Sequence, residues 1–251
     1  LSIHNPVTRG TNQNGDIYFQ LMESRNNFYN EAVDNVCSYM NEINKLSGMN
    51  YMPFNYYGDD NADKIIVAMG SVCETIKETI DYLGGKIGLI EVHLYRPFSV
   101  KHLLDVLPKT VTKIAVLDRT KEAGSNGEPL YLDIVNALSE KGITIVGGRY
   151  GLSSKDTTPG MIKAVYDSLE NPKNNFTIGI DDDVTNLSLD YSKLDLKNSD
   201  EFLLYGYGSD GTVSAAKSII ELIGDNTDKY VQGYFEYDSK KSGGVTASHL
   251  R

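Results

Sequence analysis

The strongest indication of the fold lies in residues 64–92, KIIVAMGSVCETIKETIDYLGGKIGLIEV. It opens with a short apolar run that ends at Gly70-Ser71, which is typical of a buried strand. Between residues 72 and 83 apolar side chains recur every three or four positions, and Gly84-Gly85 follows, so this part predicts a helix with a glycine stop. The apolar run of residues 87–92 then predicts a second strand. Together these signals predict a β-α-β unit.

The same alternation continues as far as residue 180. Further apolar runs predict strands at residues 113–117, 143–146 and 176–180, and helical patterns lie at residues 100–107, 130–138 and 160–169. Strands that are apolar on both faces and joined by short connections predict a mostly parallel sheet covered by helices on both sides. We therefore expect an α/β domain over residues 59–192.

In such a sheet, ligands bind at the carboxyl ends of the strands. The polar residues expected at those ends are Gly70-Ser71, His93, Arg96, Asp118-Arg119 and Arg149.

The regions that flank this domain differ from it in composition and in hydrophobic pattern. Residues 1–26 are polar and rich in turn-forming residues, residues 28–46 predict an amphipathic helix, and residues 51–63 have the composition of a linker. After a polar connector at residues 186–200, a strand at 201–205, a helix at 213–223 and strands at 230–235 and 245–250 predict a βαβ opening. About 50 residues provide little core for an independent domain, so this is a partial second α/β unit.

Composition excludes several classes of protein. The chain has 251 residues, of which 40% are hydrophobic and 23% charged, with a net charge of −10. These values are those of an ordinary globular protein, and they argue against nucleic-acid binding. No apolar run approaches the roughly 20 residues of a membrane helix. Cys37 and Cys73 lack metal-ligand spacing, so we expect two buried thiols in a reducing cytoplasm and no metal site.

The clearest functional motif is residues 206–211, GYGSDG, between a predicted strand and a predicted helix. It matches G-x-G-x-x-G, in which glycines let the backbone approach a phosphate and the helix N-terminus faces the anion. Glu236 lies about where a Rossmann unit keeps its ribose-binding acid. The pattern predicts a site for a nucleotide-containing ligand, and a tight glycine turn without a ligand is the alternative.

A second motif, residues 238–244 (DSKKSGG), follows the next predicted strand. Its lysines offer positive charge to a phosphate, although a solvated lysine turn has the same composition. Because both motifs follow what we expect to be neighbouring parallel strands, we predict that they converge on one crevice.

Several long strings resemble the pyruvate:ferredoxin (flavodoxin) oxidoreductases. They extend over almost the whole chain: RGTNQNGDIYFQ (9–20), VAMGSVCETI (67–76), LYRPFS (94–99), LDRTKE (117–122), GGRYGLSSKD (147–156), GSDGTV (208–213), IGDNTD (223–228) and GYFEYDSKKSGGVTASHLR (233–251).

The resemblance implies a cytoplasmic enzyme of anaerobic metabolism that oxidatively decarboxylates pyruvate with thiamine diphosphate and Mg²⁺. It implies electron transport through iron–sulfur clusters to ferredoxin or flavodoxin, formation of acetyl-coenzyme A, and a homodimer. It also implies domains: residues 1–58 resemble the tail of a pyrimidine-type domain, residues 59–192 a transketolase C-terminal domain, and residues 193–251 the start of a third domain associated with coenzyme A.

Carried over residue by residue, the family's glycine loop (here residues 206–211) and lysine turn (here residues 238–244) match a set of candidate coenzyme A-binding residues. They are Gly208, Asp210, Gly211, Thr212, Ser239, Lys240 and Lys241. The resemblance implies no catalytic residue, cluster cysteine or diphosphate-binding motif within the chain. Since the chain begins with Leu and ends with Arg, we expect an interior fragment that contacts the other domains of its parent and is inactive alone.

Two other interpretations remain open on the residues themselves. One is a free-standing Rossmann-type dinucleotide-binding module, which shares an ADP-binding requirement with coenzyme A. It differs in that NAD would use Glu236 at a ribose hydroxyl, whereas coenzyme A carries a 3′-phosphate that the lysines could neutralise. The other is a scaffold that packs against further domains.

Overall fold

The computed structural model describes residues 3–5, 12–182, 184–194, 196, 200–240 and 243–251. Within these residues the chain separates into two compact units, residues 1–194 and residues 195–251. No helix of the described ranges combines the length and the apolar character that a bilayer crossing needs. The predicted residues Arg9, Gly10, Thr11, Asp183 and Lys241 lie outside the described residues.

The first unit begins with two helices and continues as a sheet with interspersed helices. Its elements are α1 (Gly15–Ser24), α2 (Asn26–Ser47), β1 (Phe54–Gly58), β2 (Lys64–Ala68), α3 (Val72–Leu83), β3 (Ile87–Val92), α4 (Val100–Val106), β4 (Lys113–Asp118), α5 (Pro129–Ala137), β5 (Thr144–Arg149), α6 (Pro159–Ser168) and β6 (Phe176–Thr177). The six strands form one sheet in the order β1-β3-β2-β4-β5-β6. All neighbours pair in parallel except β1, which is antiparallel to β3. The mostly parallel α/β fold is confirmed.

Both faces of this sheet are covered by helices, which is why its central strands are mostly apolar. Ile66 and Leu89 lie in one core cluster with Ile76 of α3 and residues of α6. Ile65 and Ile90 point to the other face, where they share a cluster with residues of α4 and α5. Successive side chains of a strand alternate between faces, so each strand contributes to both cores.

The structure corrects the interpretation of residues 51–63 as a linker, because residues 54–58 of that stretch form β1. The register pairs Phe54 with Val92, and Phe54 is buried at 1% exposure in the core beneath α4. A strand at the sheet edge needs only alternate apolar residues, and the Asn, Tyr and Asp residues of this stretch concealed that alternation. Helix α1 likewise occupies residues that the sequence marks as turn-rich.

The second unit contains β7 (Phe202–Tyr207), α7 (Thr212–Asn226), β8 (Gly233–Tyr237) and β9 (Val245–Leu250). The sheet order is β7-β9-β8, and β9 is antiparallel to both of its neighbours. The expectation that β7 and β8 are neighbouring parallel strands is therefore wrong: they run in the same direction, but β9 lies between them. The side chains of Tyr205 and Tyr207 in β7 are 70% and 69% exposed, so the face of the sheet opposite α7 is exposed at these residues.

We predict that replacing Ile66 with Ala destabilises the first unit by about 2–5 kcal/mol, as a buried large-to-small change does. Ile66 is fully buried in the second strand and lies beside Leu89 and Ala115 of the flanking strands. Urea unfolding of both proteins measures the loss. The matched control is Ile43→Ala on the half-exposed face of α2, which should change the free energy of unfolding by about 0.5 kcal/mol or less. Equal losses at the two positions would show that Ile66 is not a core residue.

Candidate functional site

The glycine loop joins β7 to α7, and the backbone at Gly206 lies close to the start of that helix. A Cβ added to Gly206 would lie 2.5 Å from the Cβ of Thr212 and 3.0 Å from Oδ1 of Asp210. Gly211 adopts φ of +87°, a left-handed conformation that glycine accepts without strain. The two glycines are therefore required for different reasons, one for space and one for conformation.

Asp210 shapes this loop through bonds to the backbone. Its two carboxylate oxygens accept the N–H groups of Tyr207 and Thr212, each at 2.8 Å. These bonds, first of all the one from the Thr212 N–H, lower the pKa of Asp210 below its ordinary value. The carboxylate thus occupies part of the positive N-terminal end of α7.

The N-terminus of α7 keeps further donors beyond the reach of Asp210. The first backbone bond that runs four residues back into the helix is donated by Ala215 to the Gly211 carbonyl, at 2.9 Å. The N–H groups of Val213 and Ser214 precede that bond, so they have no acceptor of this type. Such donors are the ones that bind anions at helix N-termini.

The lysine turn after β8 is held by Asp238 and by two glycines. Asp238 Oδ1 accepts from the Ser239 hydroxyl at 3.2 Å and from the Lys240 N–H at 3.4 Å. Gly243 has φ of +73°, and a Cβ on Gly244 would lie 2.4 Å from the Lys240 carbonyl oxygen. Lys240 is exposed.

A direct hydrogen bond joins the two motifs. The Gly208 N–H donates to the Gly244 carbonyl at 2.7 Å. The glycine loop and the lysine turn therefore meet, as the sequence predicts, although the strands that carry them are separated by β9. The antiparallel strand β9 makes this possible, because it starts where β7 ends and leads the lysine turn back beside the glycine loop.

The structure gives Glu236 a different position from that of a ribose-binding acid. Glu236 lies within β8 and pairs with Ala247, and its Oε1 is 3.7 Å from His249 Nε2. Paired residues share one face of a sheet. Gly206, which faces α7, pairs with Thr246, so Ala247 and Glu236 are on the opposite face. The Rossmann arrangement inferred from spacing is wrong here.

Some of the polar residues at the strand ends of the first unit are brought together. Gly70, Ser71, Asp118 and Arg119 line one crevice, whereas the others have separate partners. Arg96 is paired with Asp133 at 2.7 Å, and Arg149 with Glu128 at 3.2 Å. The His93 Nδ1 lies 3.0 Å from both the Met52 carbonyl and the Asn55 side-chain oxygen.

The cysteines and acidic residues form no cluster suited to a metal. Within the described ranges, no group of three His, Cys, Asp or Glu side chains could hold an ion. Cys73 is buried, which raises the pKa of its thiol to about 12, and Cys37 is partly buried with its Sγ 3.7 Å from His102 Nε2.

Sequence reasoning missed two features of these sites. The prediction that Asp210 binds coenzyme A did not include a second role, in which the carboxylate bonds to the backbone of its own loop. The residue type and its position two before the helix were a signal, because Asp is favoured at helix N-termini. It also missed Tyr150, which lines the crevice of the first unit; nothing in the pattern of residues 147–156 distinguished it.

Comparison with known proteins shows which family the chain resembles. Residues 62–162 match the family model "Pyruvate:ferredoxin oxidoreductase core domain II", and residues 201–251 match "Pyruvate ferredoxin/flavodoxin oxidoreductase". A pyruvate-flavodoxin oxidoreductase from Enterobacter agglomerans is 55% identical over 98% of this chain. A pyruvate:ferredoxin oxidoreductase from Moorella thermoacetica is 53% identical over all of it. The chain belongs to the pyruvate:ferredoxin/flavodoxin oxidoreductase family.

The chain spans about 22% of the length of both relatives. A solved structure of a 2-oxoglutarate:ferredoxin oxidoreductase from Magnetococcus marinus, with 2-oxoglutarate, coenzyme A and succinyl-CoA bound, covers 63% of this chain and 24% of its own. Its sequence identity is 16% and its TM-score 0.42, a similarity too low to support an argument about this chain.

We predict that Asp210→Asn loosens the start of α7 at neutral pH, because an amide offers one acceptor oxygen where the carboxylate offers two. The folded protein holds the pKa of Asp210 below its ordinary value of 3.8. The carboxylate therefore stabilises the second unit above that pH, and this contribution disappears as the pH falls through the folded pKa. Amide hydrogen exchange in α7 should be faster in the variant at pH 6, and the difference should vanish at low pH.

Asp225→Asn is the matched control, since Asp225 is exposed near the other end of the same helix. There a negative charge opposes the helix dipole, so this variant should exchange no faster than the unaltered chain. Equal acceleration in both variants would contradict the role given to Asp210.

Proposed function

We propose that this chain is part of an enzyme that oxidatively decarboxylates pyruvate, transfers the acetyl group to coenzyme A and reduces ferredoxin or flavodoxin. Within that enzyme, residues 1–58 end one domain, residues 59–192 form a scaffold domain, and residues 193–251 contribute part of the coenzyme A site. The identity of 55% to one such enzyme over 98% of the chain supports the activity.

The observation that carries the coenzyme A role is the hydrogen bond between Gly208 and Gly244. It brings a helix N-terminus with available N–H groups beside a turn that carries lysines. Coenzyme A presents a pyrophosphate and a 3′-phosphate on one ADP group. N–H groups at a helix start suit the first, and lysine ammonium groups suit either.

The carboxylate of Asp210 limits where a phosphate could bind. Its negative charge stands at the start of α7 and would repel a phosphate placed directly on the helix axis. A bound pyrophosphate would therefore meet the N–H groups of Val213 and Ser214 and would need positive charge nearby to offset the carboxylate. Lys240 and Lys241 are the residues to which we assign that charge, with Ser239 and Thr212 as hydroxyl donors.

Thiamine diphosphate, Mg²⁺ and the iron–sulfur clusters are assigned to other parts of the enzyme. The described residues do not fit a cluster or a metal ion, since they bring no three suitable ligands together. The proposed enzyme is a cytoplasmic homodimer whose electron acceptor is ferredoxin or flavodoxin. The chain on its own should therefore not reduce viologen with pyruvate as donor.

The Rossmann-type module is not favoured by any observation. Glu236 faces His249 on the side of the sheet away from α7, where it could not reach a ribose whose phosphate lies at the helix N-terminus. Coenzyme A differs from NAD in carrying a 3′-phosphate, so the experiment below probes the binding of that phosphate.

We predict that dephospho-coenzyme A binds this chain more weakly than coenzyme A, by about 1–3 kcal/mol, the value of one lost hydrogen bond to a charged group. Isothermal titration of both ligands gives the difference. Replacing both Lys240 and Lys241 with Ala should abolish it. Lys229→Ala is the matched control, because this exposed lysine follows the far end of α7, and it should leave the difference unchanged. Equal affinities for the two ligands in the unaltered chain would refute the role of the lysines.

A further inference from the structure

A second concave site lies in the first unit, where its central strands end. The sheet order places β3 on one side of β2 and β4 on the other, so the chain leaves these two strands in opposite directions. In open α/β sheets, ligands bind at such a switch point, outside the carboxyl ends of the strands. A cavity of about 340 Å³ lies there, between the ends of β2 and β4. This volume suits a small organic ligand.

Two polar groups at the crevice are available to a ligand. Ser71 precedes α3 and its side chain makes no capping bond to that helix. Arg119 follows β4, and its Nε donates to the Gly151 carbonyl at 2.8 Å. This bond holds the guanidinium along the crevice, while its two terminal nitrogens meet no acceptor among the residues that the structure describes. The group can therefore present two parallel N–H donors to an anion.

Tyr150 adds a third hydrogen-bond donor to the crevice. It lines the crevice and is only 6% exposed, yet within the described ranges no hydrogen-bond partner reaches its hydroxyl. The hydroxyl is not among the buried side-chain oxygens without a partner in the described ranges, so it opens onto the crevice, where an incoming acceptor can reach it. Burial raises the pKa of Tyr150 to about 12, so the phenol stays protonated and can donate to an acceptor that enters the crevice.

The acid in the crevice is already engaged. Asp118 lines it, but its oxygens accept the N–H groups of Leu130 and Tyr131, each at 3.0 Å, at the start of α5. Its charge is directed at that helix N-terminus, which is a favourable place for a carboxylate. Met69, Leu117 and Pro129 add an apolar wall. The crevice thus combines hydrogen-bond donors and one cation with a surface for an organic group.

We propose that this crevice binds a small phosphate monoester. Its phosphate oxygens would accept from Arg119, Tyr150 and Ser71, and its organic group would lie against the apolar wall. A tetrahedral phosphate suits donors that arrive from three different strand ends, and it offers more acceptor sites than a carboxylate. The site lies in the first unit and depends on none of the residues proposed for coenzyme A.

The test uses the 251-residue chain and phenyl phosphate as the probe, with phenol and inorganic phosphate as comparisons. Isothermal titration should give saturable binding of phenyl phosphate with a Kd of about 1 mM or lower. Amide NMR shifts should move at Ser71, Arg119 and Tyr150. Phenol should not bind measurably, and inorganic phosphate should bind more weakly than phenyl phosphate.

Two variants test the donors. Arg119→Met removes the charge and keeps the length of the side chain, and it should weaken phenyl phosphate binding at least about tenfold. Tyr150→Phe removes only the hydroxyl and should weaken it about three- to tenfold. Arg25→Met, an exposed arginine between α1 and α2, should bind like the unaltered chain.

The proposal fails if phenyl phosphate shows no saturable binding, if Tyr150→Phe binds as tightly as the unaltered chain, or if the NMR shifts move only at the glycine loop and lysine turn. If inorganic phosphate binds as tightly as phenyl phosphate, the part given to the apolar wall is wrong. Because Tyr150→Phe keeps the buried ring in place, its binding affinity tests the proposal even if Arg119→Met fails to fold.

Discussion

Helix α7 lies so close to strand β7 that residue 206 has no room for a side chain, since a Cβ there would come within 2.5 Å of that of Thr212. This contact sets where the helix begins and therefore where its first N–H groups point. It also brings the glycine loop to the place where the Gly208 N–H meets the Gly244 carbonyl. The lysine turn is thus positioned by backbone contacts, and the proposed phosphate site depends on that close approach.

The two units reach their candidate sites by different physical routes. In the first, burial of a parallel sheet on both faces fixes the strands, and the reversal of strand order between β2 and β4 opens a crevice. In the second, only a few of the described side chains are buried, and backbone hydrogen bonds and glycine conformations do most of the positioning. Hydrophobic burial should therefore dominate the stability of the first unit, and loop geometry that of the second.

The sequence predicted the parallel sheet because its strands and helices carry strong, different periodicities, as in residues 64–92. It also predicted that the glycine loop and the lysine turn meet. It could not predict strand β9 between β7 and β8, since strand order depends on which edges pair, and periodicity within one strand carries no information on that. For the same reason Glu236 was given a ribose-binding position that the antiparallel register rules out.

Side-chain roles within the sites were predictable only in part. The residue type of Asp210 fits phosphate-site chemistry and helix capping equally, and only the structure shows its contacts with the backbone of Tyr207 and Thr212. Tyr150 becomes notable only once its burial beside the crevice is known. The burial of Tyr150 depends on packing between segments far apart in the chain, which no local pattern encodes.

We propose that the glycine loop and the lysine turn form one phosphate-binding structure. The most direct measurement is an NMR experiment that detects the coupling across the hydrogen bond from the Gly208 nitrogen to the Gly244 carbonyl carbon, repeated while coenzyme A is added. We expect a coupling in the free chain and amide shifts at Val213, Ser214 and Lys240 as the ligand binds. Absence of the coupling, or shifts in only one of the two loops, would contradict it.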